Sequence, residues 1–191
     1  MKKNEKLLFD TISRFVAPSE SEWNYFYSQF EPFACKKNDV LLEEGRICKA
    51  MLFVSSGCFR MFHVVDGEER NRDFQTEGQF TGSLFSFIGE CPALFNVAAL
   101  EDGEVMAIQR ENLYHLYDNH KIWESFGRLY LEQAFLYKEK REMTLLNEDA
   151  AARYNELVKT KPEWIQRIPQ KHLASYLNIR PESLSRLRKR K

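Results

Sequence analysis

The side chains best suited to chemistry crowd into residues 168–191. Arg180, Glu182, Ser183, Ser185, Arg186 and Lys189 fall in one short segment whose Leu184 and Leu187 supply an apolar inner face, so the polar set shares the outer face of a helix. Such a face reads a DNA groove. Arginine forks onto guanine O6 and N7, glutamate accepts from the cytosine amino group, and serine tolerates either partner. Lys171 and His172 upstream, with Arg188, Arg190 and Lys191 downstream, suit phosphate oxygens, which set register without reading sequence.

The spacing around this face is that of two short helices joined by a tight turn. Counting Gln170 as the first position, Ala174 falls fifth, where two crossing helices leave no room for bulk, and Asn178 falls ninth, where the turn needs φ > 0. Leu173, Leu177, Ile179, Leu184 and Leu187 form the shared inner face, and Pro181 suits the first turn of the second helix. A generic helical hairpin does not require the alanine, the asparagine and a cationic outer face together, so the reading is a helix-turn-helix that binds double-stranded DNA.

Charge supports that polarity. The chain has 28 basic and 28 acidic residues, yet residues 151–191 hold 11 basic and 3 acidic side chains (net +8), leaving 17 and 25 in residues 1–150 (net −8). Five of the positive charges lie between Arg186 and Lys191. The tail is the part matched to a polyanion.

The elements that must position this segment lie upstream. Ser19 followed by Glu22 is a capping box, and Trp23, Phe26, Tyr27 and Phe30 recur at helical spacing, which predicts a helix over 19–29. From Phe33 to Gln109, short aromatic and β-branched runs are punctuated by Gly45, Gly57, Gly67, Gly78, Gly89 and Gly103. The runs 40–42, 50–55, 58–65, 69–75, 94–100 and 104–109 are predicted strands, with Asp66-Gly67 as a hairpin turn. That many short strands form an antiparallel barrel or jelly roll.

After Gln109 the pattern becomes helical, with breaks near Asn119 and Asn147. The piece from 120 to 146 spans about 40 Å at 1.5 Å per residue, more than one small barrel covers. Ile122, Phe126, Leu129, Gln133, Leu136, Lys140 and Met143 follow a 4-3 spacing, with Trp123, Tyr130, Ala134 and Tyr137 on the flank. The expected partner for the seam Phe126, Leu129, Gln133, Leu136, Lys140 and Met143 is its own copy in a two-fold homodimer.

Other classes find little support. No apolar run is long enough for a membrane span or signal peptide, which predicts a cytoplasmic protein. Cys35, Cys48, Cys58 and Cys91 sit singly, without metal-ligand spacing, and read as reduced thiols. A metal-dependent enzyme built on such a barrel needs several converging histidines, whereas His63 stands alone in the strand region. No enzyme, metal or cofactor is expected.

With these segments in place, the order of elements resembles the Crp/Fnr family of bacterial transcription regulators. The resemblance rests on the Gly45 turn, on the strand and turn from Leu52 to Gly57, on the segment Glu77 to Gly82, and on Glu182 and Arg186 four residues apart in the second helix. It implies an α+β fold: an antiparallel β jelly-roll barrel of the cyclic-nucleotide-binding type, a long dimerisation helix, and a C-terminal helix-turn-helix lacking an evident wing. The divisions are 1–118 for the sensory barrel with its N-terminal helices, 119–147 for the dimerisation helix, and 148–191 for the DNA-binding domain.

The resemblance also implies base reading by Glu182 and Arg186, with Pro181 standing where the family has an arginine. It places a small-molecule effector pocket at Gly82, Ser83 and Leu84. Family members that bind cyclic AMP have a glutamate for the ribose at the position of Ser83 and an arginine for the phosphate further on, but residues 85–109 contain no arginine or lysine. A buried phosphate would lack its counter-charge. The pocket is therefore expected to be empty, unused or apolar, with Phe85, Phe87 and Phe95 as a hydrophobic filling. An N-terminal cysteine cluster for an iron–sulfur centre is missing, and His63, His115, His120 and His172 are isolated as haem ligands. The alternative to a regulator is a sensor or interaction module whose DNA-binding end is vestigial.

Overall fold

A computed structural model describes residues 1–189. Arg190 and Lys191, read above as phosphate contacts, lie outside the described residues. The chain opens with α1 (Lys3–Ile12) and α2 (Glu20–Tyr27). Ser19 caps α2 as its capping box predicts: its hydroxyl accepts from Glu22 N, and its own N–H donates to the Glu22 carboxylate at 2.8 Å.

Eight strands follow: β1 (Phe30–Cys35), β2 (Val40–Leu42), β3 (Ala50–Ser56), β4 (Phe59–Val65), β5 (Glu68–Gln75), β6 (Phe80–Thr81), β7 (Asn96–Ala99) and β8 (Gly103–Gln109). They form two antiparallel four-stranded sheets, ordered β1-β8-β3-β6 and β2-β7-β4-β5. The β4–β5 hairpin turns at Asp66 and Gly67, both at positive φ (53° and 77°), as the dipeptide predicts. Two strands escape the sequence reading. β1 carries Pro32 and exposes its middle, which an edge strand tolerates, and β6 is only two residues long.

Between β6 and β7 sits the short helix α3 (Leu84–Gly89), and after β8 come α4 (Arg110–Asn119) and the long α5 (Lys121–Asn147). The first turns of α5 close the barrel core. Trp123 stacks on Phe26 with ring centroids 4.1 Å apart, and Phe126 packs on Phe15, Phe26, Phe80 and Tyr130. Beyond Tyr130 the helix leaves the barrel and most of its side chains are exposed.

The chain then folds into α6 (Ala150–Thr160), α7 (Pro162–Arg167), α8 (Gln170–Tyr176) and α9 (Pro181–Lys189). These helices build a second core from Tyr154, Leu157, Trp164, Leu173, Leu177 and Leu184, and the barrel contributes Cys58 and Phe74 to it. The Phe74 ring lies 5.1 Å from Trp164 and 5.6 Å from Tyr176. Around this apolar contact runs a polar rim. Arg167 forks onto Glu77 at 2.7 and 3.0 Å and also reaches Glu101. The Ser175 hydroxyl accepts from Asn71 N at 2.9 Å and donates to Glu69 O at 3.2 Å.

His172 belongs to this rim, where its Nδ1 lies 3.2 Å from the Asn71 amide and its ring is buried. Burial, with Arg60 and Lys171 close by, pushes its pKa down to about 4. The folded chain therefore holds the neutral ring, while an unfolded chain begins to protonate it near pH 6.5. The resulting stability is complete above that pH and drains away as pH falls towards 4. We expect His172→Asn to lose less thermal stability than the wild type between pH 7 and pH 4.5, read as the difference in melting temperature at each pH; parallel curves would contradict the buried neutral ring.

Candidate nucleic-acid interface and effector pocket

Helices α8 and α9 form the hairpin expected from their spacing. Asn178 adopts φ 55°, the left-handed turn conformation, and Ile179 N donates to Ala174 O at 3.0 Å. Ala174 and Leu184 are fully buried where the helices cross, and Gln170 Nε2 braces the second helix through Pro181 O at 3.1 Å. Two arginines from outside the motif cap its carbonyls: Arg141 donates to Tyr176 O at 2.6 Å and Arg153 to Leu177 O at 3.0 Å. Neither stands out in the sequence, because the carbonyls they serve are 35 and 24 residues away.

With Leu184 inward, α9 presents Glu182, Arg186 and Lys189 to solvent, with Arg180 exposed just ahead of it and Lys171 exposed on α8. Ser183 and Ser185 are half-buried on the flanks, and Ser183 Oγ lies 3.4 Å from an Arg186 guanidinium nitrogen. His172 is no part of this surface. It faces the barrel, which corrects its reading as a phosphate contact, since a buried neutral imidazole has no charge to offer.

The effector segment is tightly built. Ser83 is fully buried and caps α3, its hydroxyl accepting from Ser86 N at 3.3 Å. Gly82 has φ 133° and leaves no open space: an added Cβ would lie 3.2 Å from Met51 Sδ. Leu84 faces a small apolar cavity, about 60 Å³ open to a water-sized sphere, between α3, α4 and α5. Phe30, Met51, Phe87, Tyr117 and Gly127 are among its walls. The expected aromatic filling is corrected in part. Phe87 lines the cavity, but Phe85 is 57% exposed and Phe95 packs instead beneath Arg72, 4.4 Å from its ring. Arg110 approaches α3 from the end of β8, but its guanidinium is committed to Phe87 O at 2.9 Å and Glu90 at 3.0 Å.

The long helix also revises its proposed seam. Phe126 is only 4% exposed and belongs to its own chain's core, so it cannot face a partner. Leu129 is half-buried, while Gln133, Leu136, Lys140 and Met143 are exposed. The exposed apolar stripe rotates away from the 4-3 pattern to include Phe135 and Leu146 beside Leu136 and Met143. The barrel takes the face carrying Trp123, Phe126 and Tyr130, and that choice depends on tertiary packing rather than on periodicity. Farther along, Tyr137 on the same helix donates to Asp73 Oδ1 at 3.1 Å, and burial pushes that carboxyl upward.

Among the described residues no group of three metal-ligating side chains converges, and no helix is long and apolar enough to cross a membrane.

Residues 32–120 match the cyclic nucleotide-binding domain family. No curated protein matches the sequence. Among solved structures, FixK2 from Bradyrhizobium japonicum is 17% identical with TM-score 0.69, over 84% of this chain and 83% of that one. The catabolite activator protein of Thermus thermophilus is 21% identical with TM-score 0.60, over 92% and 84%. The c-di-GMP responsive global regulator CLP of Xanthomonas campestris is 17% identical with TM-score 0.69, over 90% and 91%. The chain thus has the jelly-roll fold of cyclic nucleotide-binding domains followed by a long helix, the fold it shares with these solved structures.

Proposed function

We propose that the protein is a cytoplasmic, homodimeric, DNA-binding transcriptional regulator of the Crp/Fnr type. One observation carries the reading: α9 follows a left-handed turn, buries Leu184, and turns Glu182, Arg186 and Lys189 outward together. A helix packed this way by its apolar side needs no rearrangement of its own to enter a major groove. In this reading Glu182 and Arg186 read base edges, Arg180, Ser183, Ser185 and Lys189 flank them, and Lys171 takes a phosphate.

The dimer supports two such helices on successive grooves. Leu129, Leu136 and Met143 recur every seven residues along α5, with Leu136 and Met143 more than half exposed. Removing such a stripe from water is the ordinary driving force for a helix pair. Two of the proteins named above are a catabolite activator and a c-di-GMP responsive global regulator, and the present barrel is read as the sensory part or as ligand-independent. Cyclic AMP is not its effector in this reading. The Gly82–Leu84 cassette has its serine hydroxyl occupied as a helix cap and its nearby arginine held by Glu90.

Against a duplex selected from a random pool, Arg186→Ala and Glu182→Ala are expected to weaken binding by about 1–3 kcal/mol and to relax the preference at single positions of the site. Lys171→Ala should weaken all sequences alike and lower the salt slope by about 1. Unchanged sequence preference in both reading-face variants would overturn the assignment. Leu136→Glu should sediment at the mass of one chain where the wild type sediments at two, and a variant that remains paired would place the interface elsewhere.

A further inference from the structure

Cys48 and Cys91 face each other across an antiparallel contact. Ile47 pairs with Pro92, and Ala93 N donates to Arg46 O at 2.8 Å, a register that sets Cys48 directly opposite Cys91. Directly opposed residues in such a pair have Cα atoms about 4.5–5.5 Å apart and side chains on one side of the ribbon. Here the Ser86 hydroxyl bridges Cys48 N and Cys91 O in place of a direct ladder bond, so the ribbon is opened at this pair and has to close onto the range of about 4.4–6.8 Å that a disulfide requires.

Both side chains border the same small helix. Cys48 Sγ lies against Gly82, just ahead of α3, and donates to Ala50 O at 3.2 Å; Cys91 Sγ lies 3.8 Å from Phe85 O, within α3. The Ser86 hydroxyl stands between the two backbones, accepting from Cys48 N at 2.8 Å and donating to Cys91 O. Cys91 is partly exposed, so a small oxidant reaches it, whereas Cys35 and Cys58 are buried in the two cores.

We propose that Cys48 and Cys91 form a reversible dithiol–disulfide pair through which the thiol redox state acts on α3. The oxidant class is a low-molecular-weight disulfide such as oxidised glutathione. The Cys91 thiolate attacks one of its sulfurs, the small S–S bond breaks, and the first small thiol leaves with the electron pair and takes up a proton. Cys48, having lost its proton to water, then attacks the Cys91 sulfur and expels the second thiol. Two protein thiols are oxidised by two electrons, and one small disulfide is reduced to two thiols. Drawing the ribbon together displaces the Ser86 hydroxyl from its place between the backbones. That loosens the first turn of α3, where Ser86 N is held by the Ser83 hydroxyl and Phe87 N by Ser83 O. Leu84, Phe87 and Ile88 of this helix line the cavity beneath α5, so the change reaches the long helix.

The test incubates the full chain with graded ratios of oxidised to reduced glutathione. Cysteine linkage is mapped by mass spectrometry and amide exchange is followed over residues 84–89. The expected result is a linked Cys48–Cys91 peptide within one chain, reversed by excess dithiothreitol, with exchange at the Ser86 and Phe87 amides accelerated several-fold. Cys91→Ser and Cys48→Ala should each abolish both effects, and Cys35→Ser neither. Glutathione attached singly to Cys91 without linkage, a bridge between chains, or linkage with unchanged exchange in α3 would overturn the proposal.

Discussion

Phe74 is the side chain on which the arrangement of the molecule depends. It sits on a barrel strand yet is fully buried among Trp164 and Tyr176 of the C-terminal helices, so one ring belongs to both halves. A buried phenylalanine contributes on the order of 3 kcal/mol through the water it excludes, and its edge-on contact with Trp164 and tilted contact with Tyr176 add to that. The exclusion of water also strengthens the surrounding polar contacts, among them the Arg167 fork on Glu77.

This contact fixes which face of the hairpin is left to solvent, because it leaves α8 no freedom to roll. Its Tyr176, Ser175 and His172 are taken by the barrel, and its Leu173 and Ala174 by the helical core. The second helix of the hairpin is fixed to α8 by the Asn178 turn and Leu184, so its remaining face is the charged one. The long helix enters the same junction from the other side. Arg141 donates to Tyr176 O and stacks 3.6 Å from that ring, while Tyr137 bonds Asp73 next to Phe74 in the chain. A rotation of α5 must break or carry these contacts, which gives a barrel event a physical route to α8 and α9.

Much of this was legible in the residues. The capping box at Ser19, the Asp66-Gly67 turn, and the alanine and asparagine of the hairpin each encode a local geometry, and local geometry survives whatever packs around it. The short strand β6 and the edge strand β1 carry too few alternating residues to signal themselves. The place of Phe126 on α5 is hidden for a related reason: periodicity shows that a helix has an apolar face, but Phe126 is claimed by the barrel, and only the assembled core reveals it. His172 reads as a surface cation because its partner, Asn71, is 101 residues away. The arginines that brace the hairpin are hidden for the same reason.

The proposed regulator places two copies of α9 in successive major grooves on one face of a duplex. Hydroxyl-radical footprinting of the protein on a selected site measures this directly. The expected result is two symmetric protected segments about 34 Å apart, one helical turn, related by a two-fold axis. A single protected segment, or protection without that periodicity, would contradict it.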